Sequence, residues 1–144
     1  MFVKLTNGVP EKYTIGKLRR DNPQTSFPKD VPLNTLASYS VYPLHEEAKA
    51  DFEPLTHVLV EGDITYVDDK WTKQWQVEPL PEAKAASNIR DRRNALLAES
   101  DWTQVADAPV DALLWQTYRQ KLRDITSHSN FPWLTSKDWP VAPL

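Results

Sequence analysis

The placement of proline constrains this chain more than any other feature. The sequence carries 12 Pro against only 3 Gly in 144 residues. Each Pro fixes its own φ, removes a backbone donor and pushes the preceding residue toward an extended conformation. Pro10, Pro23, Pro28, Pro32, Pro43 and Pro54 punctuate residues 1–56. No stretch between them is long enough to predict a helix, and the shortage of Gly argues for stiff, extended connections. Residues 1–56 therefore read as an extended Pro-rich arm with turns. Single apolar anchors lie along it: Tyr13, Ile15, Leu18, Phe27, Val31, Leu33, Leu36, Tyr39, Val41, Tyr42 and Leu44. They either dock onto another surface or fold back onto the protein's own small core.

Residues 57–81 read as a short antiparallel β-meander with a Pro linker. The expected strands are 57–60, 64–67 and 71–77, with turns at Glu61-Gly62-Asp63 and Asp68-Asp69-Lys70. Alternation in the third strand puts Trp71, Trp75 and Val77 on one face. Pro79 and Pro81 end the strand. Residues 82–100, rich in Ala, Leu, Arg and Glu and free of Pro and Gly, predict a helix. A second is expected over 109–127, where Leu114, Tyr118, Leu122 and Ile125 form an apolar stripe. The short connection predicts an antiparallel helical hairpin over 82–144, packed through Ile89, Leu96, Leu97 and that stripe. A Trp- and Pro-rich tail follows. The expected fold class is α+β: arm, meander, then hairpin.

Composition removes whole classes of chemistry. There is no Cys, so no thiolate nucleophile, disulfide or cysteine-based metal site. No GxxxxGK[ST], GxGxxG or GxSxG motif occurs. Net charge is -3, and basic residues are balanced by acids along the helices, which speaks against nucleic-acid binding. Arg93 and Arg119 fall near the apolar stripes, where their stems can pack while their heads pair with Asp101, Asp111 or Asp124. No apolar run approaches the ~18–20 residues of a membrane span, and the opening residues lack a signal-peptide core. His45, His57 and His128 make no metal-binding spacing. His45-Glu46-Glu47 reads as a charged turn, and Asp63, Asp68 and Asp69 as turn acids. No catalytic, cofactor or metal residue is expected. The surplus of Trp and Tyr, side chains with an apolar body and a polar handle, instead suggests binding surfaces.

The C-terminal segment carries a resemblance. Arg90-Asp91-Arg92-Arg93-Asn94-Ala95-Leu96-Leu97 runs on to Asp101-Trp102-Thr103-Gln104. Trp115-Gln116-Thr117-Tyr118-Arg119 continues to Leu122-Arg123-Asp124-Ile125. Phe131-Pro132 and Trp139-Pro140-Val141-Ala142-Pro143 close the segment. In this order, over about residues 88–143, these blocks resemble the tailed-phage tail assembly chaperone domain and the C-terminus of tail-fibre assembly proteins. Residues 13–28 and Trp71 to Trp75 look like the N-terminal part of phage proteins carrying that domain.

The resemblance implies a non-enzymatic protein without cofactors that binds a phage tail or tail-fibre protein and assists its folding, assembly or attachment. It would act in the host bacterial cytoplasm during assembly, with retention in the virion tail as the structural-adaptor alternative. A second copy of the chain is the other partner considered; nucleic acid, membrane and small-molecule substrates are not expected. The expected partner-binding residues are Tyr13, Leu18, Phe27, Leu36, Tyr39 and Tyr42, with Arg19 and Arg20 as rim contacts and Trp71 and Trp75 on the sheet. A third reading is a small carbohydrate-binding module using Trp71 and Trp75.

Overall fold

A computed structural model describes residues 1–144. They form five strands and four α-helices. In chain order these are β1 (Phe2–Thr6), β2 (Val9–Tyr13), α1 (Ile15–Asp21), α2 (Leu33–Ser38), β3 (Val41–Glu46), β4 (His57–Val67), β5 (Lys70–Pro79), α3 (Glu82–Glu99) and α4 (Ala112–Arg123). Two compact units result. The first comprises residues 1–50 and 59–76, the second residues 51–58 and 77–144.

The extended arm expected over residues 1–56 is overturned, because this region builds most of a sheet. Asn7 and Gly8 both take positive φ, 52° and 81°, and turn β1 back on β2. Two-residue turns of this hand match the twist of the strands they join, and Asn-Gly tolerates them at little cost. Pro10 falls in β2, which is an edge of the sheet, where a missing donor does little harm. Short helices fit between the remaining prolines. Thr14 caps α1 by accepting from the Lys17 amide at 3.1 Å. Pro32 immediately precedes α2.

The expected three-stranded meander is also replaced. The sheet is five-stranded and mixed, with order β2-β1-β3-β5-β4. β1 pairs antiparallel with β3, and β3 pairs parallel with β5. β4 is one continuous strand through Gly62, where a turn was expected. A Cβ at Gly62 would lie 3.1 Å from the Gln76 side chain, so this glycine makes room for a neighbour instead of reversing the chain. The reversal comes at Asp68 and Asp69, both at positive φ, 47° and 59°. Asp is among the residues that adopt this conformation most readily.

β3 carries Pro43 in the interior of the sheet, a position that normally excludes proline. The strand tolerates it by changing partner. Val41 to Pro43 pair with β1, and Leu44 to Glu46 pair with β5. Tyr13, Leu18, Leu36 and Val41 form the buried core of this unit, with Phe2, Ile15, Phe27, Val31 and Tyr39 packed around it. Eight of the eleven apolar anchors thus serve the unit's own core, whereas Leu33 is 64% exposed.

Charges bridge the strands. Lys73 on β5 pairs with Glu46 on β3 at 3.1 Å and with Glu61 on β4 at 3.0 Å. Glu61 also pairs with Lys12 on β2, which draws the two edges of the sheet together and leaves it nearly closed.

The second unit is more than the expected two-helix hairpin. α3 follows Pro81, and α4 starts at Ala112 rather than near residue 109 because Asp111 caps it, accepting from Leu113 and Leu114 amides at 3.0 and 3.1 Å. Turns of 3-10 helix occupy Asp101–Gln104 and Asp124–Ser127. The core joins Ile89, Ile125 and Leu134, with Leu55, Phe131 and Trp139 packed against it. A segment before the helices and the tail after them therefore complete it. Leu122 and Tyr118 are buried, whereas Leu114 is 54% exposed.

Two outcomes follow from this packing. Leu122→Ala removes a fully buried side chain and is expected to cost about 2–5 kcal/mol in a urea titration; a loss below about 1 kcal/mol would contradict the packing. The Glu46 carboxyl is held below its ordinary value chiefly by its hydrogen bond from Lys73, and Glu61 by those from Lys12 and then Lys73. Depressed carboxyls stabilise the fold above their unfolded value and lose that contribution as pH falls through the folded one. Thermal midpoints are therefore expected to fall below about pH 4.5, and less steeply in Glu61→Gln.

Candidate protein-interaction surface

The second unit is organised around a buried arginine. Arg119 sits on α4 with only 9% of its side chain exposed. Its Nη1 donates to the Leu97 carbonyl at 2.6 Å and to Ser100 Oγ at 2.7 Å, and its Nη2 to Asp101 Oδ1 at 2.7 Å. Leu97 and Ser100 lie at the end of α3, where carbonyls lack helical partners. A guanidinium offers several donors in a fixed plane, which suits a crowded set of acceptors. Ser100 Oγ also donates back to Leu96 O at 2.8 Å, and Thr103 Oγ1 donates to Ser100 O at 2.6 Å. Arg119 thus locks α4 to the end of α3 and to the turn that follows.

That lock fixes the position of an aromatic row. Trp102, on the turn after α3, lies 6.2 Å from Trp115 on α4, centroid to centroid. Trp115 meets Tyr118 edge-on at 5.6 Å and 89°. Tyr118 is buried, and burial pushes its phenol pKa up. Trp115 is half-buried and Trp102 is 51% exposed. Leu113, 70% exposed, and Leu114 stand on the same helix as Trp115. Two shallow clefts adjoin the row. One, of 200 Å³, is lined by Leu96, Glu99, Trp115, Tyr118 and Ala142. The other, of 440 Å³, is lined by Leu114, Tyr118, Lys121, Val141 and Pro143. Exposed Trp and Leu above shallow apolar clefts are what a protein-binding face presents.

The sites expected from the sequence fall elsewhere, on the first unit. Tyr13, Leu18 and Leu36 are buried in its core. The Tyr13 hydroxyl donates to Asp21 Oδ2 at 2.5 Å; burial, then this bond, pushes its pKa up to about 12. Phe27 and Tyr39 pack on that core, their rings 5.4 Å apart. Arg19 is exposed, and its Nη2 donates to the Pro28 carbonyl at 2.8 Å; Arg20 is exposed too. Tyr42 and Trp71 line one open cleft. Trp75 instead stacks under the ammonium groups of Lys49 and Lys73, each 4.5 Å from its ring centre.

The aromatic row lies outside those expected residues. Its signal was visible, since Trp102 and Trp115 both occur in the quoted blocks, but nothing in the sequence said that they meet. No group of three His, Asp or Glu side chains is placed to hold a metal, and no helix is long and apolar enough to cross a membrane.

Comparison with known proteins bears on this unit. Residues 86–144 match the family described as phage tail assembly chaperone protein. Neither a curated protein nor a solved structure matches the chain. The matched residues include Arg119, Leu97, Ser100 and Asp101, and the whole aromatic row.

The lock separates two contributions. Asp101 has 67% of its side chain exposed, so Asp101→Asn is expected to cost less than about 1 kcal/mol. Arg119→Ala removes the buried guanidinium with its bonds to the Leu97 carbonyl and Ser100 Oγ and should cost about 3 kcal/mol or more. Equal losses in denaturant unfolding would refute the buried carbonyl and hydroxyl contacts as its main role.

Proposed function

We propose that this protein assists the assembly of a phage tail by binding a tail or tail-fibre protein without chemical catalysis. The observation that carries the reading is the match of residues 86–144 to the phage tail assembly chaperone family, joined to an exposed aromatic row inside the matched residues. Binding falls on Trp102, Leu113, Leu114 and Trp115. Tyr13, Leu18 and Leu36 are committed to their own core, and a partner could reach them only by unfolding it.

The physics of such a face suits an assembly factor. Trp contributes a large contact area with few torsions to freeze, and it dominates interface hot spots. Arg119 holds Trp115 and the turn bearing Trp102 on elements fixed before any partner arrives, which lowers the ordering cost of binding.

Co-purification tests the reading. The tagged chain, co-expressed with the tail and tail-fibre proteins encoded beside it, should retain one of them. Trp102→Ala should weaken that complex about 30-fold, as a hot-spot truncation of ~2 kcal/mol would. Retention of none, or a Trp102→Ala protein that binds as tightly as the parent, overturns it. Mass spectrometry of purified particles then separates a transient helper, absent from them, from a stoichiometric tail component.

A further inference from the structure

The first unit carries an open cleft of 390 Å³, outside the residues that match the family. Three aromatic side chains line it, Tyr42, Tyr66 and Trp71, together with three polar ones, His45, Asp69 and Lys70. We propose that this cleft binds a neutral pyranose sugar, stacked on Trp71 and hydrogen-bonded by the polar rim. The proposal is independent of the tail-assembly reading and concerns a different unit.

Four observations carry it. The first is the shape of the aromatic surface. Tyr66 and Trp71 have ring centres 5.1 Å apart at 52°. Tilted rings of this kind form a corner and leave ring surface free instead of covering each other. Tyr66 is 58% exposed and Trp71 half-buried. A pyranose offers a face of C–H groups that fits flat on an aromatic ring, with hydroxyls around its edge.

The second is the charge of the rim. Asp69 and Lys70 are neighbours in sequence, and neither takes part in any ion pair within the protein, nor does His45. One carboxylate, one ammonium and one imidazole sum to little net charge. A phosphate would meet the carboxylate, and a cation would meet the ammonium. Hydroxyl groups use all three, since each hydroxyl both donates and accepts.

The third is rigidity. Trp71 is fixed by the pairing of Leu44 with Trp71, and Tyr42 by its pairing with Val3. Asp69 is held at positive φ by the turn between β4 and β5. Sites built on paired strands and a two-residue turn hold their geometry before the ligand arrives. The fourth is size and openness. The cleft lies at the small end of the ~300–1,000 Å³ typical of ligand sites, which suits one or two sugar rings. Its open mouth suits a ligand that keeps part of its surface in water, as a sugar does and a purely apolar molecule does not.

Two arms of one experiment identify the source of the sugar. Free D-glucose, D-galactose, N-acetyl-D-glucosamine and L-rhamnose are titrated into the full chain while the Trp71 indole N–H signal is followed by NMR. Immobilised bacterial-surface oligosaccharides are screened in parallel. Movement of the Trp71 signal with a free sugar points to a soluble saccharide; retention on oligosaccharides alone points to a surface glycan; either supports the proposal if Trp71→Ala abolishes binding, read in the variant from the backbone amide signals of Asp69 and Lys70 and from retention on the immobilised oligosaccharides. Asp69→Asn keeps a residue that accepts positive φ and should weaken binding about tenfold, the loss of one charged hydrogen-bond partner. Should Trp71→Ala unfold, as judged by circular dichroism, Asp69→Asn alone decides, and an unchanged affinity overturns the proposal. It is equally overturned if no sugar binds in either arm, or if binding survives Trp71→Ala in a folded protein.

Discussion

β3 is the strand on which the first unit depends. It is six residues long and has a proline in it, yet it joins an antiparallel hairpin on one side to a parallel partner on the other. It does so by dividing its length. Residues before Leu44 pair with β1 and residues from Leu44 pair with β5, so Pro43, which has no N–H to donate, has a register partner on one side only. The Leu44 amide then reaches Met1 O at 3.2 Å. Because each half of β3 makes only three register pairs, the backbone alone ties the hairpin to the rest weakly. The ion pairs give a second route between them: Lys73 joins β5 to Glu46 on β3 and to Glu61 on β4, and Glu61 joins β4 to Lys12 on β2, in the hairpin itself. Exposed pairs are individually weak, but three sharing two residues form a network. The core of Tyr13, Leu18, Leu36 and Val41 then supplies the burial that small sheets need.

Much of this was written in the sequence, though not in the proline count. Asn7-Gly8 between alternating residues is the strongest short-range hairpin signal there is, and it prevails over the prolines that follow it. Prolines exclude long helices, but α1 has seven residues and α2 six, and both fit between them. The turn was misplaced for a similar reason. Gly62 drew the reversal because glycine commonly marks turns, whereas Asp68-Asp69 made it. A glycine inside a strand that opposes a bulky neighbour looks the same in one dimension as a glycine in a turn. The parallel pairing of β3 with β5 was not legible at all, since residues 47 to 56 between β3 and β4 carry no period that announces a crossover.

The candidate surface was legible in parts and illegible as a whole. The quoted blocks contain Arg119, Asp101, Trp102 and Trp115, and the stripe of Tyr118, Leu122 and Ile125 is buried as its spacing predicts. Leu114 follows the same spacing and is exposed, because it lies in the first turn of α4, next to the Asp111 cap. Arg119 lies beside that stripe, so the packing of its stem and the pairing of its head with Asp101 are legible in the spacing, and the structure has both. What the spacing does not reveal is that the same guanidinium also reaches the Leu97 carbonyl and Ser100 Oγ at the end of α3.

The six tryptophans show why composition could suggest binding but not place it. Trp139, partly buried, packs against the core of the second unit. Trp75 lies under two lysines, one of which, Lys73, is itself tied to the charge network, so its ring face is already used. Trp133 leans on His57 at 5.9 Å, centroid to centroid. Trp133 is also 39% exposed, but only Trp71, Trp102 and Trp115 keep part of the ring toward solvent beside a Trp or Tyr ring. An isolated exposed tryptophan would be unremarkable, since much of any protein surface is apolar. Paired rings held by a buried arginine in one unit, and by strand pairing in the other, are held open at a cost in exposed apolar surface. That cost is offset when a partner covers the rings, and the two settings differ in what covers them best. Leucines flank Trp102 and Trp115, which favours an apolar protein segment. An acid, a base and an imidazole flank Trp71, which favours a ligand rich in hydroxyls.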